Sequence, residues 1–87
     1  MAVPRFMLTH RHSPQECRVA FAAWTGFESP LRHHPATSSC VSRSGGEDQH
    51  TLWWEVEAET AEHALAMLPP YVAERSEASE VGEVRIP

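Results

Sequence analysis

The sequence predicts an α+β domain with a four-stranded antiparallel sheet, and three observations point to it. Strand-forming segments and amphipathic helical segments alternate along the chain. The apolar residues keep a spacing of two in the former and of three or four in the latter. At 87 residues the chain is long enough for one small core and too short for two. Residues 1–87 are therefore expected to form a single domain. Hydrophobic residues make up 41 % and charged residues 22 %, which places the chain among folded proteins rather than disordered ones.

From Pro4 to His12 the chain is rich in strand formers. Their alternation puts Phe6, Leu8, His10 and His12 on one face of a first strand. A helix start follows: Ser13 can cap, Pro14 suits the first helical position and Glu16 can reach back to complete a capping box. Cys17, Ala20, Phe21 and Trp24 then form the apolar stripe of a helix ending near Gly26. Residues 28–35 form a loop with Pro30, His33, His34 and Pro35. A second strand is expected over Thr37–Arg43, and Ser44–Gln49 reads as a polar hairpin loop. Strand three runs from His50 to Glu57, with Leu52, Trp54, Val56 and Ala58 on one side. A second helix starts after Thr60, aligns Ala61, Ala64, Leu65 and Leu68, and stops or kinks at Pro69-Pro70, with a short helical turn expected over Tyr71–Glu74. The last strand is expected over Glu80–Ile86.

The resulting order, β-α-β-β-α-β, is the ferredoxin-like arrangement. Right-handed crossovers give a sheet of order 4-1-3-2, antiparallel throughout, with two helices on one face. The other face displays Trp53, Met7 and Thr9 beside Arg5, Arg11, Glu55 and Glu57. A large aromatic on an open sheet favours association, so a homodimer packed through that face is expected.

Charge and composition exclude several function classes. The formal net charge is -5, and all seven basic residues are scattered arginines, so no basic stripe addresses nucleic acid. The longest apolar run, from Val19 to Trp24, is far short of the ~20 residues of a membrane span. No apolar signal segment precedes a small-residue cleavage site, so a cytoplasmic location is expected, with Cys17 and Cys40 as reduced thiols. The chain has no glycine-rich phosphate loop, no G-x-S-x-G, no C-x-x-C and no lysine for Schiff-base chemistry.

Six histidines in a chain of this length carry what functional signal there is. His10 and His12 form an H-x-H pair whose imidazoles leave one face of the strand, about 6.5 to 7 Å apart along the chain. Antiparallel pairing of strands one and three brings His50 beside them. Cys17, on the inward stripe of the first helix, enters the same region, where a thiolate gains from the positive helix end. Three imidazoles and a thiolate suit Zn, Ni, Cu or Co. Pairing Val41 with Leu52 would put Cys40 on the open face, whereas a slip of one residue would move it beside His50. His33, His34 and His63 read as surface residues, and Glu55, Glu57, Glu59 and Glu62 as a solvated run.

The strings Phe6-Met7-Leu8-Thr9-His10-Arg11 and Ser79-Glu80-Val81-Gly82-Glu83-Val84 resemble the first and last strands of small bacterial ferredoxin-like proteins of unknown function, some described as nickel-binding. The layout is also similar to that of the wider dimeric α+β barrel superfamily. The resemblance implies His10 as the first ligand and nickel as a metal to set beside zinc. Three functions follow in order: a small homodimeric metal-binding protein using His10, His12, His50 and Cys17; a binding or structural module without a site; and a small monooxygenase or isomerase with His10 or His12 as general base in a cavity.

Overall fold

The structure, a computed structural model, describes residues 3–39 and 50–87. Four strands, β1 (Arg5–His12), β2 (Thr37–Ser38), β3 (His50–Glu57) and β4 (Ser76–Val81), form one sheet in the order β2-β3-β1-β4, every neighbouring pair antiparallel. Among the described residues three short α-helices accompany it: α1 (Cys17–Ala22), α2 (Ala61–Leu65) and α3 (Pro70–Ala73). Among the described residues no helix is long and apolar enough to cross a membrane.

The period of two in β1 and β3 decides which side chains enter the core. Phe6 and Leu8 of β1 and Leu52, Trp54 and Val56 of β3 are buried, and they pack with Ala64 and Leu68 from the α2 region and Val72 of α3. The break expected at Pro69-Pro70 separates α2 from α3, and the short helical turn expected over Tyr71–Glu74 begins one residue earlier, because Pro70 opens α3 at an N-terminal position that needs no N–H partner. Thr60 caps α2, its hydroxyl accepting from the His63 N–H at 3.1 Å.

The first helix differs from its expected form at both ends. Pro14–Glu16 is a single 3-10 turn, and the α-helical part stops at Ala22, followed by turns that close at Gly26 with φ +76°. A left-handed φ favours glycine, which has no Cβ to clash. Phe21, placed on the inward stripe by its spacing, is 50 % exposed, while Ala20 is buried and Trp24 packs against the core.

The last strand begins four residues earlier than its composition indicates. Arg11 donates its N–H to the Arg75 carbonyl at 3.1 Å, so pairing with β1 starts directly after α3. It ends where Val81 meets Arg5, the first residue of β1, and Val84 and Ile86 beyond it are exposed. In β2, Ser38 stands opposite Leu52, the place considered for Val41. Ser39 anchors that register by accepting from the Thr51 N–H at 2.7 Å and donating its own N–H to the Thr51 carbonyl at 2.9 Å. The expected remainder of this strand, the Ser44–Gln49 loop and Cys40 lie outside the described residues.

Candidate metal centre

Three elements meet at one end of the β1–β3 ladder. His12 closes β1 and pairs with His50, the first residue of β3, and Cys17 opens α1 five residues after His12. The 3-10 turn between them folds the chain back sharply enough to bring the thiol over the strand end. His12 Nε2 lies 3.3 Å from Cys17 Sγ, and Cys17 Sγ lies 3.1 Å from His50 Nδ1. The potential ligand atoms of His12, Cys17 and His50 all fall within 4.8 Å of one another. His12 is buried, and Cys17 and His50 are half-buried, so the group sits at the rim of the core.

His10 stands outside this group of three. Its ring is fully buried, with Nε2 2.9 Å from His12 Nδ1 and Nδ1 3.1 Å from the Val72 carbonyl oxygen and 3.2 Å from Ser76 Oγ. Two residues along a strand place His10 and His12 on the same face, their ring centroids 5.0 Å apart, but only the second reaches Cys17. His33, His34 and His63 are exposed.

Burial lowers the pKa of both core histidines below the ordinary imidazole value. For His10 the positive charges that His12 and Arg75 can carry act in the same direction, against the hydrogen bond to Val72 and the Glu16 carboxylate. For His12 the neighbouring His50 adds to burial and Glu16 opposes it. Neutral imidazoles are the form that ligates a metal.

A second cluster fixes the turn that carries Cys17. The Glu16 carboxylate accepts from the Ser13 N–H at 3.0 Å, as its capping-box spacing predicts, and also from the Tyr71 hydroxyl at 2.6 Å and Arg75 Nε at 3.0 Å. The Arg75 guanidinium lies 3.8 Å over the Tyr71 ring. The Tyr71 hydroxyl, then the Ser13 N–H, and also Arg75 hold the Glu16 carboxyl down at about 2 against the opposing effect of burial. This clamp joins the residue before Cys17 to the residue before Ser76, which in turn touches His10. Sequence reasoning identified Glu16 only as a cap, because Tyr71 and Arg75 are 55 and 59 residues away and carry no local signal.

A groove of about 520 Å³ adjoins the cluster, its wall mixing aromatic side chains such as Phe21, Trp24 and Trp54 with the polar Arg32, His34 and Ser38. Phe21 links the two, its ring edge-on to His12 with centroids 6.4 Å apart. Comparison with protein-family models, curated proteins and solved structures finds no match, so the functional argument rests on the donor geometry.

Proposed function

We propose that the chain is a small transition-metal-binding domain in which His12, Cys17 and His50 are the protein ligands. The observation that carries this is the mutual approach of one thiol and two imidazoles to within 4.8 Å. Tetrahedral zinc, with Zn–S about 2.3 Å and Zn–N about 2.0–2.1 Å, requires N···S separations of about 3.6 Å. The two N···S distances here are 3.3 and 3.1 Å, so each opens by a few tenths of an ångström to admit the ion, while the two imidazole nitrogens, within 4.8 Å of each other, close towards the roughly 3.4 Å that the same geometry sets between them. One soft thiolate with two borderline imidazoles suits zinc, nickel, copper or cobalt, and a reducing, cytoplasmic setting keeps Cys17 available as a ligand. Three protein donors leave a fourth tetrahedral position for water or another ligand.

The architecture supports reading α2 and α3 together as the second helical segment of a ferredoxin-like βαββαβ fold. We propose further that copies pair through the open sheet face, where Trp53 is 36 % exposed and Arg5 and Glu55 form an ion pair at 3.6 Å. Metal analysis of untagged protein, followed by zinc and nickel titration of the chelated protein, tests the main reading. Near-stoichiometric metal, lost in Cys17→Ser, is expected. Protein that purifies without metal and takes up neither ion at micromolar concentration sinks the reading.

A further inference from the structure

We propose that His10 is the positioning residue of this site: by fixing the ring tautomer of His12 it leaves His12 Nε2 as the donor atom. The proposal deepens the metal reading and begins from a backbone oxygen. The Val72 carbonyl can only accept, and it already accepts from the Ser76 hydroxyl at 2.6 Å. That bond uses the one proton of the Ser76 hydroxyl, so neither neighbour of His10 Nδ1 has a proton to give it. The proton between them must therefore sit on His10 Nδ1, shared towards Val72 at 3.1 Å and Ser76 at 3.2 Å.

A neutral imidazole carries one N–H and one lone pair. With Nδ1 protonated, His10 Nε2 is an acceptor, and it lies 2.9 Å from His12 Nδ1. His12 must then donate from Nδ1, which leaves its own lone pair on Nε2, the atom that faces Cys17 Sγ at 3.3 Å. The alternative, a doubly protonated His10 that donates to His12, would place a cation on a ring with no solvent exposure and with Arg75 nearby. Three hydrogen bonds thus carry the polarity of one carbonyl at the end of α3 to the thiol at the start of α1.

For metal binding this has a definite consequence. A ligating histidine whose second nitrogen donates to a fixed acceptor is held in one ring orientation and is a better base, and losing such a support typically costs about 10–100-fold in metal affinity. His12 needs to lose no proton when the ion arrives. The proton released on binding comes from the Cys17 thiol, which forms the metal–sulfur bond as thiolate.

The test uses the full chain, labelled with 15N and stripped of metal, with ring tautomers read from long-range 1H–15N correlations. His10 and His12 are both expected to carry the proton on Nδ1; a His12 protonated at Nε2 overturns the proposal. Zinc chloride is then titrated into wild type, His10→Leu and His10→Gln. Leucine offers no acceptor, so a mixed His12 tautomer and a roughly 10–100-fold weaker zinc affinity are expected. Glutamine can donate to Val72 and accept from His12, so it restores the Nδ1–H tautomer and most of the affinity. An unchanged tautomer and affinity in His10→Leu overturns the proposal, and if that variant does not fold, the wild-type spectrum decides alone. A wild-type protein with the expected tautomers that binds no zinc sinks the metal reading while leaving the tautomer assignment in place.

Discussion

His12 and His50 stand directly opposite each other across the β1–β3 ladder, their rings edge to face with centroids 5.7 Å apart. A cross-strand pair of this kind is positioned by backbone hydrogen bonds over the whole length of both strands, so the two donors do not depend on a loop for their spacing. His50 is half-buried at the start of its strand. His50→Ala should therefore lower zinc affinity by more than the ~10–100-fold of a supporting residue, with little change in the urea midpoint of the metal-free protein. A competition titration against a chromophoric chelator measures the first, and urea unfolding the second.

Metal binding should also stabilise the fold, because His12, Cys17 and His50 belong to different elements that come together only in the native state. At zinc one hundred times above the dissociation constant the gain is about 2.7 kcal/mol, which for a domain of this size raises the melting temperature by roughly 10–20 °C. Calorimetry with and without zinc checks this. Equal melting temperatures would count against a site that spans β1, α1 and β3.

Acid should loosen the clamp around Glu16. Its carboxyl is lowered from 4.5 to about 2 in the fold, so the folded state holds its proton less tightly than the unfolded chain. The stabilisation from Glu16 is then fully present above pH 4.5 and is lost as pH falls from there to about 2. Glu16→Gln should be less stable than wild type at neutral pH, with the two curves converging in acid. Thermal melts across pH 2 to 6 would show this, and a constant gap between the curves would refute the assignment.

Leu8 has no exposed surface and lies at the centre of the β1 face. Leu8→Ala should cost about 2–5 kcal/mol through lost burial and the cavity left behind. Phe21→Ala should cost much less, since half of that ring faces solvent. Chemical denaturation of the two variants compares them directly, and equal losses would place Phe21 in the core after all.

The proposed pairing through the open sheet face depends on Trp53, which sits beside the Arg5–Glu55 ion pair. Trp53→Glu should shift sedimentation from dimer to monomer while leaving the circular dichroism unchanged. A monomeric wild-type protein at high micromolar concentration would remove this proposal.

Much of this architecture was legible from local pattern. The period of two in 5–12 and 50–57 located β1 and β3 and the face each buries, and the antiparallel pairing of those strands brought His12 and His50 together. Thr60 marked the start of the second helical segment and Pro69-Pro70 the break between α2 and α3. These features depend on neighbouring residues and the geometry of extended or helical backbone, which sequence alone carries. Tertiary structure decided the rest. The start of β4 depends on where α3 releases the chain onto the edge of β1, and its end on where β1 begins. The separation of roles between His10, held by Val72 and Ser76, and His12, held by His10 and facing Cys17, arises from partners as far as 66 residues away. Periodicity assigns both rings to one face, but only the packing of α3 on the sheet supplies the carbonyl that distinguishes them.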